Sequence, residues 1–149
     1  MTVKETFREL CQRHGIPLTH QRQVLFEVMR SMHGHPSPEE VYGLVRERIP
    51  AISLATVYKN IHLFVESGLF REVSQHHGAQ RIELNSRPHH HLVCRGCKTI
   101  QDIDLPMDAG VTPCSAALPE GFQLERCSVE WIGLCQECQS AGVSGQQVQ

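Results

Sequence analysis

Two short cysteine motifs most constrain the fold of this 149-residue chain. Two residues separate Cys94 from Cys97 and Cys135 from Cys138, and 37 residues lie between the two pairs. Each motif brings two thiolates onto one tight turn, which suits two corners of a tetrahedron, and zinc takes four such ligands in a structural site. The spacing therefore predicts that one Zn²⁺ ion joins the two motifs. Two unrelated redox or core pairs are the alternative.

The N-terminal sequence predicts the cellular setting. The first ten residues carry four charges and no apolar stretch, which argues against a signal peptide, and no apolar run is long enough to span a membrane. We therefore expect a cytoplasmic protein without membrane association, in a reducing compartment where structural disulfides are not expected. Cys11 lies on an apolar helix face and is predicted to be core, whereas Cys114 and Cys127 receive no role.

Charge and aromatic content limit the partners of the chain. The net charge is −2, and residues 1–85 hold ten Lys/Arg against nine Asp/Glu. No segment is strongly basic, so any DNA-binding surface must arise from the arrangement of charges on one face. The eight aromatic residues argue against recognition of single-stranded nucleic acid by base stacking.

The first half of the chain has the element order of a winged helix-turn-helix. Apolar periodicity and caps predict helices over 3–14 and 19–32, a third from a capping box at Ser37 to Pro50, and a fourth from Ser53 to Gly68. Two short strands follow at 69–73 and 80–84. An ordinary helical bundle is the alternative.

The predicted fourth helix presents hydrogen-bonding side chains away from its apolar stripe. These side chains suit contact with phosphates and the major groove, and they are Thr56, Tyr58, Lys59, Asn60 and His62. A solvated polar face would give the same pattern.

The second half of the chain predicts a small sheet. Strands are expected at 89–93, 99–104 and 122–132, while Gly110, Pro113 and Pro119 weaken any helix between 106 and 118. We therefore predict a DNA-binding domain over 1–84, a hinge over 85–88, a second domain over 89–138 and a disordered tail over 139–149.

A histidine run at 89–91 suggests a second metal site. On a strand, His89 and His91 share one face and His90 takes the other. Glu83 and Asp102 supply nearby carboxylates. Because this set contains no thiolate, it favours Fe²⁺ or Mn²⁺ over a softer ion, with Zn²⁺ also possible. A solvated histidine run without a metal role is the alternative.

Together these segments resemble the ferric uptake regulator (Fur) family of metal-dependent repressors over about residues 5 to 138. The order and spacing of several motifs carry the resemblance: HPSPEEVY at 35–42, LATVYKN at 54–60, ESGL at 66–69, RIEL at 81–84, HHHLVCRGC at 89–97 and GLCQEC at 133–138.

The resemblance implies an α+β chain: an N-terminal winged helix-turn-helix, then a small α/β dimerisation domain with a four-cysteine zinc site. It implies that the structural zinc ligands are Cys94, Cys97, Cys135 and Cys138, and that a regulatory Fe²⁺ or Mn²⁺ site matches His35, Glu83, His89, His91 and Asp102. It also implies a homodimer, not an enzyme, that binds an AT-rich inverted repeat in double-stranded DNA. Tyr58 falls on the DNA-reading tyrosine, with Thr56, Lys59 and Arg22 as phosphate or flanking contacts.

Departures from the family pattern narrow the branch. Many iron-sensing members have a further metal site whose ligands are a His, an Asp, a Glu and a later His. The matching positions here are Pro88, His90, Ala109 and Cys127, so we expect this further site to be absent. The remaining pattern is similar to the peroxide-sensing (PerR) branch, although Glu83 stands where that branch more often has Asp. The genes controlled are therefore expected to serve peroxide stress or iron or manganese homeostasis.

Two other classes of protein are compatible with parts of the sequence. A non-haem iron enzyme could use His89, His91 and a carboxylate as a facial triad. A zinc-stabilised interaction module would need no DNA-binding role.

Overall fold

The structure, a computed structural model, describes residues 6–73, 80–85, 87–104, 118–125 and 127–143. The chain divides into two compact units, Met1–Ser86 and Arg87–Gln149. Among these described ranges, no helix is both long and apolar enough to cross a membrane. The predicted hinge at 85–88 and the dimerising role of the second domain stay predictions.

The first unit is built from four helices and a short hairpin. In order, its elements are α1 (Phe7–His14), α2 (His20–Ser31), α3 (Pro38–Arg48), α4 (Leu54–Glu66), β1 (Arg71–Val73) and β2 (Arg81–Glu83). Each helix begins after a polar cap, Thr6, Thr19, Ser37 or Ser53, whose side-chain oxygen accepts a hydrogen bond from the backbone N–H three residues later. The caps Thr19, Ser37 and Ser53 explain why α2, α3 and α4 begin where the sequence predicts. The first helix, predicted from residue 3, begins only at Phe7 because Thr6 is its cap.

Apolar stripes of the four helices pack into one core with the hairpin. Its largest fully buried side chains include Phe64, Leu25, Met29 and Ile61, and Ile82 of the hairpin is equally buried. The hairpin strands are antiparallel, with Arg71 opposite Glu83. The element order and packing agree with the predicted winged helix-turn-helix, and Cys11 is buried in this core as predicted.

The second unit is a three-stranded sheet with one short helix. Its described elements are β3 (His90–Cys94), β4 (Ile100–Ile103), β5 (Glu130–Gly133) and α5 (Gln136–Ser140). The central strand, β3, is antiparallel to β4 and parallel to β5. Parallel pairing brings the C-terminal ends of β3 and β5 to one edge of the sheet, so that Cys94 and Gly133 are register partners.

The predicted strand over 122–132 is wrong in its extent. β5 begins only at Glu130, and the described residues 122–125 and 127–129 are not in a strand. Alternating apolar residues there resemble a strand, but a strand also needs a neighbouring backbone, and β3 pairs only with 130–133 on that side. Helix α5 reaches Ser140, while the predicted stretch 106–117 and residues 144–149 lie outside the described residues.

Candidate metal centres and recognition helix

The four cysteines of the two motifs converge at one edge of the sheet in the second unit. Cys94 ends β3 and Cys97 lies in the turn after it, whereas Cys135 caps α5 and Cys138 lies within that helix. Their four sulfur atoms all lie within 4.8 Å of one another. The cluster confirms that the two motifs meet, as their spacing predicts.

Neighbouring groups shift the pKa values of the thiols in this cluster in both directions. The backbone N–H of Cys135, 3.3 Å from Cys94 Sγ, is the main cause lowering the pKa of Cys94 to about 6. The Thr99 hydroxyl, 3.1 Å from Cys97 Sγ, lowers the pKa of that thiol, whereas the neighbouring Cys135 thiol raises the pKa of Cys138 to about 12. Because four thiolates at this spacing repel one another unless a cation lies among them, the donor set fits Zn²⁺.

Gly96 allows the two motifs to approach one another. A Cβ atom at this position would lie 2.8 Å from Cys138 Sγ and 3.2 Å from Leu134 Cδ2, which is too close for any other residue without movement. The sequence interpretation missed this role, although a glycine inside the first motif was a visible signal.

Three potential ligands of a harder metal lie together: His89 just before β3, His91 in β3 and Asp102 in β4. His91 pairs in register with Asp102, and His89 Nε2 lies 2.9 Å from His91 Nε2. Asp102 Oδ1 is 3.5 Å from His89 Nε2 and 3.9 Å from His91 Nε2. Both imidazoles are 3% exposed, so they lie out of reach of bulk water.

The surroundings of His89 select the nitrogen that could bind a metal. Its Nδ1 lies 2.7 Å from the carbonyl oxygen of Arg87, which can only accept, so Nδ1 carries the proton and Nε2 carries the lone pair in the neutral ring. Two Nε2 atoms at 2.9 Å require a proton or a cation between them. The two imidazoles and one carboxylate therefore fit Fe²⁺ or Mn²⁺, as their residue types predict.

His90 occupies the opposite face of β3, as the period-two pattern predicts. Its Nδ1 accepts a hydrogen bond from the backbone N–H of Val129 at 3.2 Å, and its ring stands edge-on to Trp131. The side chain thus fastens the segment that leads into β5.

The first unit contributes a buried imidazole–carboxylate pair. His35 Nε2 lies 3.3 Å from Glu83 Oε2, and the two residues are 8% and 3% exposed. The pairing is fixed by backbone contacts, since the N–H of Ile82 donates to the carbonyl of Pro36 at 3.0 Å. The five positions that the resemblance assigns to a regulatory metal thus form two donor sets, one in each unit.

Helix α4 carries the predicted DNA-binding residues at its N-terminal end. Tyr58 is 37% exposed and its hydroxyl donates to the Glu39 carboxylate of α3, while Lys59 is exposed. Thr56 is half-buried, and its hydroxyl lies 2.8 Å from that of Ser53 in the helix cap.

Arg22 already has partners within the first unit. Its Nε donates to Asn60 Oδ1 at 3.0 Å and its Nη1 donates to the carbonyl of Pro17 at 2.7 Å. Asn60 in turn donates to the carbonyl of Thr56, so Arg22 braces the start of α4. The prediction that Asn60 is presented for DNA contact is therefore wrong, because its side chain is buried and accepts a hydrogen bond from Arg22.

One cysteine differs from the expectation that structural disulfides are absent. Cys127 is disulfide-bonded. Cysteine spacing alone gave this residue no role, since it belongs to neither of the paired motifs.

Comparison with known proteins decides the family. Residues 13–132 match the ferric uptake regulator family. The chain belongs to the ferric uptake regulator family. The peroxide-responsive repressor PerR of Staphylococcus epidermidis is 30% identical over 128 residues, which cover 86% of this chain and 85% of that repressor.

Solved structures of family members agree with the fold. The ferric uptake regulator from Pseudomonas aeruginosa with manganese is similar with a TM-score of 0.73 at 24% identity, covering 89% of this chain and 99% of that one. The Campylobacter jejuni peroxide stress regulator is similar with a TM-score of 0.65 at 28% identity, covering 90% of this chain and all of that one (100%).

The family membership sets the class of activity. The chain is a metal-dependent DNA-binding repressor, as the resemblance implied, and its relatives over most of its length are regulators. Neither the non-haem iron enzyme nor the zinc-stabilised interaction module is favoured.

Proposed function

We propose that this repressor is a cytoplasmic homodimer that binds a double-stranded operator when one regulatory ion occupies the ligand set His35, Glu83, His89, His91 and Asp102. The observation that carries the proposal is the pair of buried imidazoles in the second unit, whose Nε2 atoms lie 2.9 Å apart beside Asp102. Buried nitrogens at this distance are costly without a shared cation or proton.

The donor atoms favour Fe²⁺ or Mn²⁺ as the regulatory ion. Three imidazoles and two carboxylates supply nitrogen and oxygen ligands and no sulfur, which suits these harder ions in five- or six-coordination. When bound, such an ion supplies a positive charge that neutralises the two carboxylates and satisfies the imidazole lone pairs. His35 and Glu83 are paired in the first unit, and His89, His91 and Asp102 adjoin in the second.

Ligands from two units give the chain a means of regulation. Any ion held by both donor sets binds most tightly in the arrangement of units that satisfies all of them, so occupancy and arrangement are linked thermodynamically. In a dimer, that arrangement sets the spacing of two recognition helices against two DNA half-sites. We therefore propose that His35 and Glu83 transmit metal occupancy to the DNA-binding unit.

The four-cysteine cluster is proposed to hold a structural zinc ion rather than a regulatory one. Cys94, Cys97, Cys135 and Cys138 complete a tetrahedral set, so no position remains for an exchangeable ligand. The set also fastens α5 to the end of β3, and metal binding energy there is folding energy.

We propose that α4 reads an AT-rich inverted repeat. Tyr58 is assigned to base edges, and Lys59 and Thr56 to phosphates, because all three lie in the first two turns of the helix. A phosphate or flanking contact is also proposed for Arg22, whose Nε and Nη1 already donate hydrogen bonds within the first unit.

Tyr58→Ala should weaken operator binding by about 1–3 kcal/mol, measured by fluorescence anisotropy. Unchanged affinity would show that α4 is not the reader.

The regulatory site is tested by DNA binding with and without Mn²⁺. The DNA is the region upstream of the gene for this chain, and the variants are His91→Ala and His90→Asn. We expect His91→Ala to abolish metal-stimulated binding while zinc content and dimerisation remain. His90→Asn is the matched control on the other face of β3, because an amide oxygen can still accept from Val129.

The opposite pattern would show that the regulatory metal ligands have been assigned wrongly. That result is metal-stimulated binding that persists in His91→Ala, or loss of stimulation only in His90→Asn. Failure of the parent chain to bind the DNA in either condition would overturn the proposed function itself.

Peroxide sensing is the more specific proposal for what the repressor controls. It is supported by the 30% identity to a peroxide-responsive repressor and by the likeness to a peroxide stress regulator at 28% identity. After loading with Fe²⁺ and exposure to hydrogen peroxide, we expect mass spectrometry to find one added oxygen atom on His35 or His89, with loss of operator binding. Unmodified histidines with metal-responsive binding intact would instead indicate an iron or manganese sensor.

A further inference from the structure

A carboxylate of α3 holds the side chain that is proposed to read DNA. Tyr58 Oη donates a hydrogen bond to Glu39 Oε1, although the two residues are 19 positions apart and lie on different helices. Both residues are exposed, so the contact forms on the surface that α4 presents rather than in the core. Hydrogen bonds to an ionised acceptor are stronger than neutral ones.

The environment keeps this donor and acceptor in their required protonation states. Hydrogen bonding by Tyr58 is the main cause lowering the pKa of Glu39, and Arg81 contributes in the same direction. The same contact raises the pKa of Tyr58. Glu39 also lies in the first turn of α3, where the helix dipole favours a negative charge.

This contact changes what Tyr58 can offer to a base. Because its only O–H is donated to Glu39, the ring edge and the oxygen lone pairs are the parts that remain for DNA. The ring is held before binding, so less side-chain freedom is lost at a matching site. The Glu39 charge meanwhile repels any DNA backbone, whether or not the bases match.

We propose that Glu39 is a specificity-determining residue: it positions Tyr58 for the operator. The inference rests on the proposed function of Tyr58. A fixed reader strengthens only matched binding and therefore raises the ratio of operator to non-specific affinity. The nearby negative charge weakens every complex alike and leaves that ratio unchanged.

The test compares three carboxylate substitutions in the full-length, metal-loaded chain. Glu39→Ala removes the acceptor and the charge, and Glu39→Gln keeps an acceptor but removes the charge. Glu47→Gln removes the same charge from another exposed position of α3 and is the matched control. Affinities for the operator and for a scrambled duplex are measured over a range of salt concentrations.

We expect Glu39→Ala to lower the ratio of operator to scrambled-duplex affinity by about tenfold, the low end of what one base contact contributes. Glu39→Gln should recover part of the ratio, and Glu47→Gln should leave it unchanged. An equal change in Glu39→Ala and Glu47→Gln would reduce the effect to net charge and overturn the inference.

A second measurement follows Tyr58 without DNA. The chain has two tyrosines, so Tyr42→Phe leaves Tyr58 as the only phenol, and its ionisation can be followed by ultraviolet absorbance. We expect Glu39→Ala to lower the pKa of Tyr58 toward its ordinary value. An unchanged pKa overturns the inference. A shifted pKa with an unchanged affinity ratio also overturns it, but leaves operator binding by Tyr58 in place; if the parent chain shows no operator preference, the proposed function fails as well.

Discussion

At the scale of single residues, Gly96 shows how one missing side chain permits a metal site. The two cysteine motifs come from distant parts of the chain, and the side chain of Cys138 packs directly against Gly96. The types and spacing of residues identify the ligands, but they do not reveal that position 96 must lack a side chain for the two motifs to meet.

Substitution of Gly96 by Ala should therefore damage the zinc site without removing a ligand. We expect the added methyl group, which would lie 2.8 Å from Cys138 Sγ, to lower zinc content and to destabilise the second unit by about 1–3 kcal/mol, as overpacking does. Zinc analysis and thermal unfolding measure both effects. Gly133→Ala is the control, since its Cβ would meet nothing within 4 Å. Equal behaviour of the two variants would contradict this explanation.

Lys59 and Arg22 differ in how their charges are used, although both are predicted near DNA. We expect Lys59→Ala to reduce the slope of log affinity against log salt by about 1, as loss of one phosphate contact does. Arg22→Ala should weaken binding at every salt concentration with a smaller change of slope, because its guanidinium braces Asn60 and Pro17. Equal changes of slope would assign Arg22 to the phosphate backbone.

At the scale of elements, helices were easier to predict from the sequence than strands. A helix closes its hydrogen bonds locally, so caps such as Ser37 and Ser53 mark its start in the sequence itself. The strand predicted over 122–132 was too long because pairing depends on β3, which lies far away in the sequence.

The candidate sites divide in the same way. The two CxxC motifs and the alternation of His89 and His91 are local patterns, and both could be predicted. His35 came from the family resemblance alone, since 48 positions separate it from Glu83, its partner at 3.3 Å. Brace residues such as Asn60 and Glu39 carry no local signature, because their roles depend on which helices meet.

Removal of one zinc ligand should affect the second unit far more than the first. The zinc ion joins the two motifs across 37 intervening residues. By the loop-closure entropy estimate used for disulfides, such a cross-link raises the free energy of unfolding by about 4 kcal/mol, which Cys138→Ser would remove. We expect loss of zinc and of the dimer, with helical circular dichroism from α1 to α4 largely retained. Glu137→Gln, an exposed neighbour in α5, should keep its zinc. Unchanged zinc content in Cys138→Ser would contradict the ligand assignment.

At the scale of the whole molecule, the weak net charge of −2 makes DNA binding a matter of local arrangement. The ten basic residues among residues 1–85 are balanced by nine acidic ones, including Glu39, which accepts a hydrogen bond from Tyr58. We therefore expect its preference for an operator to depend on base contacts and on the proposed dimer rather than on net charge.

β5, the parallel partner of β3, comes late in the chain, and this order of elements determines when the zinc ligands are synthesised. Chains emerge from the ribosome N-terminus first, and domains generally fold as units. The helices of the first unit and the Cys94–Cys97 turn are therefore made before β5 and Cys135 exist, and the nascent chain carries half of a zinc site until Cys138 emerges. All four thiols can hold zinc only after Cys135 and Cys138 have emerged, so complete metal binding follows synthesis of the last described strand.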